Sequence, residues 1–373
     1  VYKIVLSAPV KDAAYTRAEI LLDGDYYGVA LYTATQVFHR RVQVGALDAL
    51  VDELLGAVFS QYNGWDGAYQ YAKRVTKKGK VLTTRTRNSA APKETQGKNY
   101  IFREGMHLPV LVDAGIFTQE GRVAANMRDK FVQINRFVEL LADEAKELPA
   151  DTVVNIIDFG CGKSYLSFLV YHYFTQLRGF AVQLCGLDTD AKLVAQSNAL
   201  AQKHGYLGMR FAEGDIGGQD APPLAGWGRT GTFNLVISLH ACNTATDYSL
   251  AKAVAWGAQL ICAVPCCQHE LREQMRQGNG AAAVALFSRY GIVQERVAAL
   301  ATDAIRAALL EAAGYQVQLI ELTDRENTAK NILLRAKKTN RRDNGQHAHL
   351  LREEAQQLME TLGVSPTLQQ LLP

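Results

Sequence analysis

Three carboxylates stand out by where they fall. Asp158, Asp188 and Asp215 each follow an apolar run, at residues 153–157, 182–187 and 209–212. Runs of that length read as buried strands of a parallel sheet. Two glycines, Gly160 and Gly162, come directly after the first acid. Glycine at both positions lets the backbone approach a ligand with no Cβ in the way. A helix expected over residues 165–174 would aim its N-terminal amides into the same space. Two nucleotide motifs are excluded. A phosphate-binding P-loop ending in Gly162-Lys163-Ser164 needs glycine at position 157, where Ile157 stands. A dinucleotide fingerprint needs a small third residue at 165, where Tyr165 stands. Asp188 lies 26 residues past Gly162, a distance at which an acid holds a ribose diol. The chemistry these residues suit is the binding of a nucleoside.

From residue 150 onward strand-like and helix-like stretches alternate, which predicts an α/β fold with helices on both faces of the sheet. Residues 233–239 and 258–264 are the fourth and fifth strands, and residues 284–313 are helical. Gly314-Tyr315 turns into a strand at 316–321, and 331–336 returns as a last strand. Residues 126–148 carry Phe131, Ile134, Phe137, Val138 and Leu141 at helical spacing, and Pro149 stops the helix. This helix connects two domains, and Lys130 and Gln133 on its polar face are placed to cap a ligand, if it is more than a packing helix. Residues 1–44 read as an antiparallel sheet with a hairpin turn at Asp23-Gly24-Asp25, followed by a helix over 46–59. The domains expected are a smaller α+β domain over 1–125, the connecting helix over 126–149, the nucleoside-binding domain over 150–337 and a helical tail over 338–373.

Composition narrows the class. The 373 residues are 48% hydrophobic and 21% charged, as in a soluble globular protein. A net charge of +3 gives no global nucleic-acid signal. Between Lys73 and Arg103, however, ten Lys/Arg face one acid, Glu94, amid aromatics such as Tyr69, Tyr71 and Tyr100. Charge for phosphates and rings for bases suit RNA; a solvated charged face over core aromatics is the plainer reading. Residues 88–97 are turn-rich, and a loop is expected there. No signal peptide and no membrane-length apolar run is read, so the six cysteines, all between 161 and 267, are expected as reduced thiols in the cytoplasm.

Longer motifs sharpen the picture. An acid closing the first strand before Gly-x-Gly resembles motif I of the class I S-adenosylmethionine-dependent methyltransferases. Asp-Phe-Gly-Cys-Gly-Lys-Ser-Tyr-Leu-Ser at 158–167, Ser-Leu-His-Ala-Cys-Asn-Thr-Ala-Thr-Asp at 238–247, Pro-Cys-Cys-Gln-His-Glu at 265–270 and Asn-Thr-Ala-Lys-Asn-Ile-Leu at 327–333 together resemble one methyltransferase-like group. So does the helix at 129–137. The group holds many uncharacterised bacterial proteins, and eukaryotic tRNA 2′-O-methyltransferases are similar in the Pro-Cys-Cys-x-His part. The resemblance covers about residues 125–336. It implies a Rossmann-like, seven-stranded mixed sheet closed by an antiparallel last strand, and S-adenosyl-L-methionine as cofactor. It also implies that Asp158 accepts from the ammonium of the methionine part, that Gly160 and Gly162 pass under the ligand, and that Asp215 takes the adenine amino group. Cys161, Ile216, Leu239, Lys130 and Gln133 complete the expected cofactor set with Asp188. The expected activity is methyl transfer, with RNA (tRNA or rRNA) as substrate. A small-molecule or protein methyltransferase, or a non-catalytic cofactor-binding protein acting on nucleic acid, are the alternatives.

In that strand order the first, fourth and fifth strands are neighbours, so Cys161, His240, Cys242, Cys266, Cys267 and His269 would share one edge. An acceptor pocket is the preferred reading, with His240, Cys266, Cys267 and His269 as catalytic candidates, since a neutral imidazole can take a proton near neutral pH. A metal site is disfavoured by the adjacency of Cys266 and Cys267 and the lack of Cys-x-x-Cys; no metal is expected. A covalent thiolate mechanism, similar to the Pro-Cys region of cytosine C5-methyltransferases, ranks low because the motif follows the wrong strand. Cys185 and Cys262 read as small buried hydrophobes.

Overall fold

Apolar stretches bounded by Gly and charged turns fold here into two sheets in a computed structural model of the chain. The structure describes residues 1–11, 13–23, 26–33, 37–66, 68–76, 79–87, 100–239, 241–278, 280–322, 331–339 and 345–372. His240, Gly24 and Asp25 of the first hairpin turn, the expected loop at 88–97 and the first part of the 327–333 motif lie outside them. The chain divides into two units, Val1–Asn99 and Tyr100–Pro373.

The first unit is a seven-stranded antiparallel sheet with one helix. Its strands are β1 (Lys3–Pro9), β2 (Arg17–Asp23), β3 (Tyr26–Tyr32), β4 (Val37–Gln43), β5 (Phe59–Trp65), β6 (Tyr69–Val75) and β7 (Val81–Arg87), with α1 (Leu47–Leu54) between β4 and β5. The spatial order is β4-β3-β2-β1-β5-β6-β7. Period-2 alternation puts Ile4, Leu6, Ile20 and Val29 on one face, where Leu50, Val51 and Leu54 of α1 cover them. The helix is shorter than the expected 46–59, because the chain turns at Gly56 (φ 95°) and enters β5. Strands β6 and β7 were not foreseen. Every residue of β7 is exposed, so no apolar alternation marks it.

The second unit opens with α2 (Pro109–Asp113), α3 (Arg128–Glu144), β8 (Val153–Phe159), α4 (Tyr165–His172), β9 (Ala181–Asp188), α5 (Ala191–Lys203) and β10 (Met209–Glu213). It continues through β11 (Thr232–Leu239), α6 (Thr244–Ala255), β12 (Leu260–Val264), α7 (His269–Arg276), α8 (Ala285–Ser288) and α9 (Gly291–Ala312). Strands β13 (Tyr315–Glu321) and β14 (Ile332–Lys338) follow, then α10 (Gln346–Leu362) and α11 (Thr367–Leu371). The sheet order is β10-β9-β8-β11-β12-β14-β13. The first five strands are parallel, and β14 slots between β12 and β13 antiparallel to both. This is the seven-stranded mixed sheet expected from the sequence, and β8, β11 and β12 are neighbours in it.

Both faces of the sheet are buried. Val154 and Ile156 of β8 pack in a core with α3, α4 and α5, and Ile157 and Phe159 pack on the other face with α6, α7, α9, α10 and α11. The C-terminal helices thus belong to the core, through Met359, Leu362 and Leu368. The stripe of α3 is buried as its spacing predicts. Residues 100–125, grouped by sequence with the N-terminal domain, fall in the second unit. Phe102, Leu111, Ile116 and Phe117 join the α3 core, and buried Asn135 of α3 accepts a hydrogen bond from the Phe102 N–H at 3.0 Å. Among the described residues no helix is long and apolar enough to cross a membrane.

Candidate active site

The turn after β8 needs its residue types. Gly160 and Gly162 both have positive φ, 67° and 52°, and Ser164 is left-handed at 57°, a conformation in which a side chain with Cβ is strained. The bend is fixed by hydrogen bonds from the Gly160 and Cys161 N–H groups to the Leu187 carbonyl, at 2.8 and 3.1 Å. Ser164 Oγ and Ser197 Oγ, 2.9 Å apart, tie the start of α4 to α5.

The carboxylates gather around this bend. Asp158, Asp188 and Asp215 line one cavity of about 420 Å³, together with Gly160, Cys161 and Gly162. Ile216, Leu239 and Lys130 line it as well. That volume lies within the range of small-ligand pockets, about 300–1,000 Å³. The acids differ in setting. Asp188 is oriented at the end of β9: the Gly162 N–H donates to its Oδ2 at 2.7 Å, and the Asp190 N–H to its Oδ1 at 3.0 Å. Asp158 is buried, and Ser167 Oγ of α4 donates to its Oδ2. Burial pushes the Asp158 carboxyl up to about 7; the Ser167 hydrogen bond opposes this, and the nearby charge of Asp188 adds to it. A cationic ligand group would favour the ionised form.

Lys130 reaches the cavity from α3, with Nζ 5.1 Å from the Tyr165 ring centroid. Burial, then repulsion from Lys163, lowers its pKa. Lys163 was not singled out from the sequence as a ligand contact, but it lines the same cavity. Gln133 is not among the lining residues.

At the β11–β12 side the picture is one of sulfur. Cys242, another lining residue, approaches Cys266, with their Sγ atoms 3.0 Å apart. Cys266 and Cys267 Sγ are 4.0 Å apart. Burial, then hydrogen bonding and repulsion from Cys242 with a further contribution from Cys267, pushes the Cys266 thiol up to about 12. The Cys267 thiol is raised as well, by burial and by Cys242. His269 is the exposed first residue of α7 and is not part of this cluster.

Behind these loops lies an ion network that the sequence reading missed. Arg306 of α9, 2% exposed, donates from Nε and Nη2 to the two oxygens of Asp247, at 2.9 and 2.7 Å. Its Nη2 also donates to the Asn243 carbonyl at 3.1 Å, and Nη1 to Asp303 Oδ1 at 3.4 Å. Asn243 has a positive φ of 53°, and its Oδ1 accepts from the Glu270 N–H at 2.9 Å. Arg306 therefore holds the Cys242 loop, and Asn243 ties that loop to the start of α7. The signal available was a charged Asp303/Arg306 pair inside an alanine-rich helix; its partner Asp247 is 59 residues away.

Residues 129–274 match the family model of a methyltransferase domain. That span covers the cavity, the thiols and Asp247. No curated protein matches the sequence. Similar solved structures include the CMeT domain of the citrinin polyketide synthase, at 13% identity and a TM-score of 0.36, with 58% of each chain covered. The DszA carbon methyltransferase matches at 11% identity and 0.37, covering 61% of this chain and 60% of that one. The YcgJ protein from Bacillus subtilis matches at 12% and 0.32, covering 55% of this chain and 98% of that one. The chain thus spans less than two thirds of the first two.

Proposed function

We propose that the chain is an S-adenosyl-L-methionine-dependent methyltransferase acting on RNA. The observation that carries the cofactor assignment is the convergence of Asp158, Asp188 and Asp215 on one cavity over the Gly160–Gly162 bend. In this reading Asp188 holds the ribose diol, Asp158 the methionine ammonium and Asp215 the adenine amino group. Lys130 and Lys163 face the methionine carboxylate. The sulfonium is reactive by itself, so the protein's work is to align the acceptor and receive its proton. His240, Cys266, Cys267 and His269 form the proposed acceptor end. A thiol held near 12, as Cys266 is, is a poor nucleophile at neutral pH, which speaks against a covalent mechanism.

RNA as acceptor rests on the basic run, of which Lys73, Arg74, Lys80, Arg85 and Arg87 lie on or beside β6 and β7. One observation favours the small-molecule alternative. The aromatics there are already engaged: the Arg85 guanidinium lies 3.4 Å from the Tyr69 ring centroid, and the Tyr71 hydroxyl donates to Asp66 at 2.6 Å. Labelled methyl transfer to total RNA by the full chain decides between them, with Asp188→Ala as the blank. Incorporation by wild type only, with RNA retention falling steeply as salt rises, supports RNA. Cofactor binding with no label in RNA supports the alternative.

A further inference from the structure

Cys242 comes from the loop after β11, and Cys266 and Cys267 from the loop after β12, yet their three sulfur atoms all lie within 4.8 Å of one another. A tetrahedral ion with Zn–S bonds of about 2.3 Å sets its sulfurs about 3.8 Å apart. The Cys266–Cys267 separation of 4.0 Å is close to that spacing, and Cys242 and Cys266, at 3.0 Å, would part by about 0.8 Å to receive the ion. Cys266 and Cys267 are adjacent, which by itself disfavours a metal. The fold answers it with a third ligand from a neighbouring strand end, which no Cys-x-x-Cys pattern would reveal. The loops are also held in place. Arg306 binds the Asn243 carbonyl and Asp247 behind Cys242, and Asn243 Oδ1 binds the Glu270 N–H just past the Cys266-Cys267 loop. Contacts of this kind around a metal site orient its ligands.

We propose that Cys242, Cys266 and Cys267 bind one zinc(II) ion at the carboxyl edge of β11 and β12. Three soft thiolate ligands favour zinc over magnesium and calcium, which take oxygen ligands. Binding replaces three S–H bonds by three Zn–S bonds. Three protons leave to solvent, no atom changes oxidation state, and the ion with its thiolates carries one net negative charge. Among the described residues the cluster supplies three ligands. The ion staples the two loops together beside the cavity that Cys242 lines. The site uses two cysteines of the proposed acceptor end, but the argument for the ion does not need methyl transfer.

The test is a cobalt(II) titration of the full chain, purified without a metal-binding tag and stripped with a chelator under reducing conditions. The expected result is one cobalt per chain, with thiolate-to-metal charge-transfer absorption and the d–d bands of a tetrahedral ion, both abolished by added zinc(II). Cys242→Ser and Cys267→Ser are each expected to weaken cobalt binding by at least about 100-fold, beyond what loss of a supporting contact does. Cys185→Ala, which removes a thiol buried in β9 away from the cluster, leaves the titration unchanged. If a serine variant does not fold, the wild-type spectrum decides alone, because charge transfer identifies sulfur ligands. Wild type without these bands overturns the proposal, as does equal binding by folded serine variants. Calorimetry with S-adenosylhomocysteine on the same samples keeps the two readings apart. Cofactor binding without metal removes only the zinc site, and metal without cofactor removes only the methyltransferase.

Discussion

The two halves of one sheet edge are built by different means. At β8–β10 the cavity-lining groups are carboxylates at successive strand ends, set around a glycine bend and held by backbone amides: Gly162 and Asp190 N–H on Asp188, Gly160 and Cys161 N–H on Leu187. At β11–β12 they are thiols on two loops, held by side chains from elsewhere, chiefly Arg306. The first half needs only its own local sequence. The second needs the whole domain to be folded. Loss of the half-exposed Asp188 in the first half should therefore cost binding and leave stability nearly intact, and changes behind the second should cost stability first.

The largest effect expected is in the first half. Asp188→Ala should abolish S-adenosylhomocysteine binding in calorimetry while the melting temperature stays close to wild type, since the residue sits at a strand end beside the cavity. Unchanged affinity would break the comparison at its start. Arg306→Met tests the second half. It leaves Asp247 and Asp303 buried without their cation, and removing one partner of such a cluster costs about 3–5 kcal/mol. Chemical denaturation should report a loss of that size. A loss under about 1 kcal/mol, the usual worth of an exposed pair, would show that the network holds nothing.

Asp158 sharpens the contrast through pH. Its folded-state pKa, about 7, lies above the 3.8 of an ordinary aspartate. Its contribution to the stability of the unliganded protein is therefore fully present below the unfolded pKa and is lost as pH rises through about 7. Unliganded wild type should lose melting temperature between about pH 4 and 7 relative to Asp158→Asn, in which that titration is gone. Cofactor affinity of wild type should rise over the same interval, because the ammonium favours the ionised carboxylate. Parallel pH profiles for the two proteins would contradict the burial argument. The smallest effect is Gly160→Ala. Ala241 Cβ would lie 3.6 Å from the new methyl, an ordinary contact, so the cost is the left-handed backbone, about 1–2 kcal/mol, measurable by denaturant melts.

The same contrast explains what could be read from the sequence. The first half was legible because strand, acid, glycine turn and helix are contiguous, and each element carries its own periodicity; β8 and the buried stripe of α3 lie where the spacing put them. The order β8-β11-β12 then followed from the family resemblance. What escaped were contacts between distant residues: the bond from Asn135 to Phe102 that draws residues 100–125 into the second unit, Arg306 with Asp247, and the meeting of Cys242 with Cys266. No local pattern encodes a partner 59 positions away. Strand β7 escaped for a different reason: exposed on both faces, it lacks the alternation by which strands are recognised.

A crystal structure of the full chain with S-adenosylhomocysteine bound tests the central claim most directly. The account predicts the ribose hydroxyls on Asp188, the adenine amine at Asp215 beside Ile216, and the amino group at Asp158 with its chain over Gly160 and Gly162. A nucleoside lying anywhere other than against those three carboxylates would contradict it.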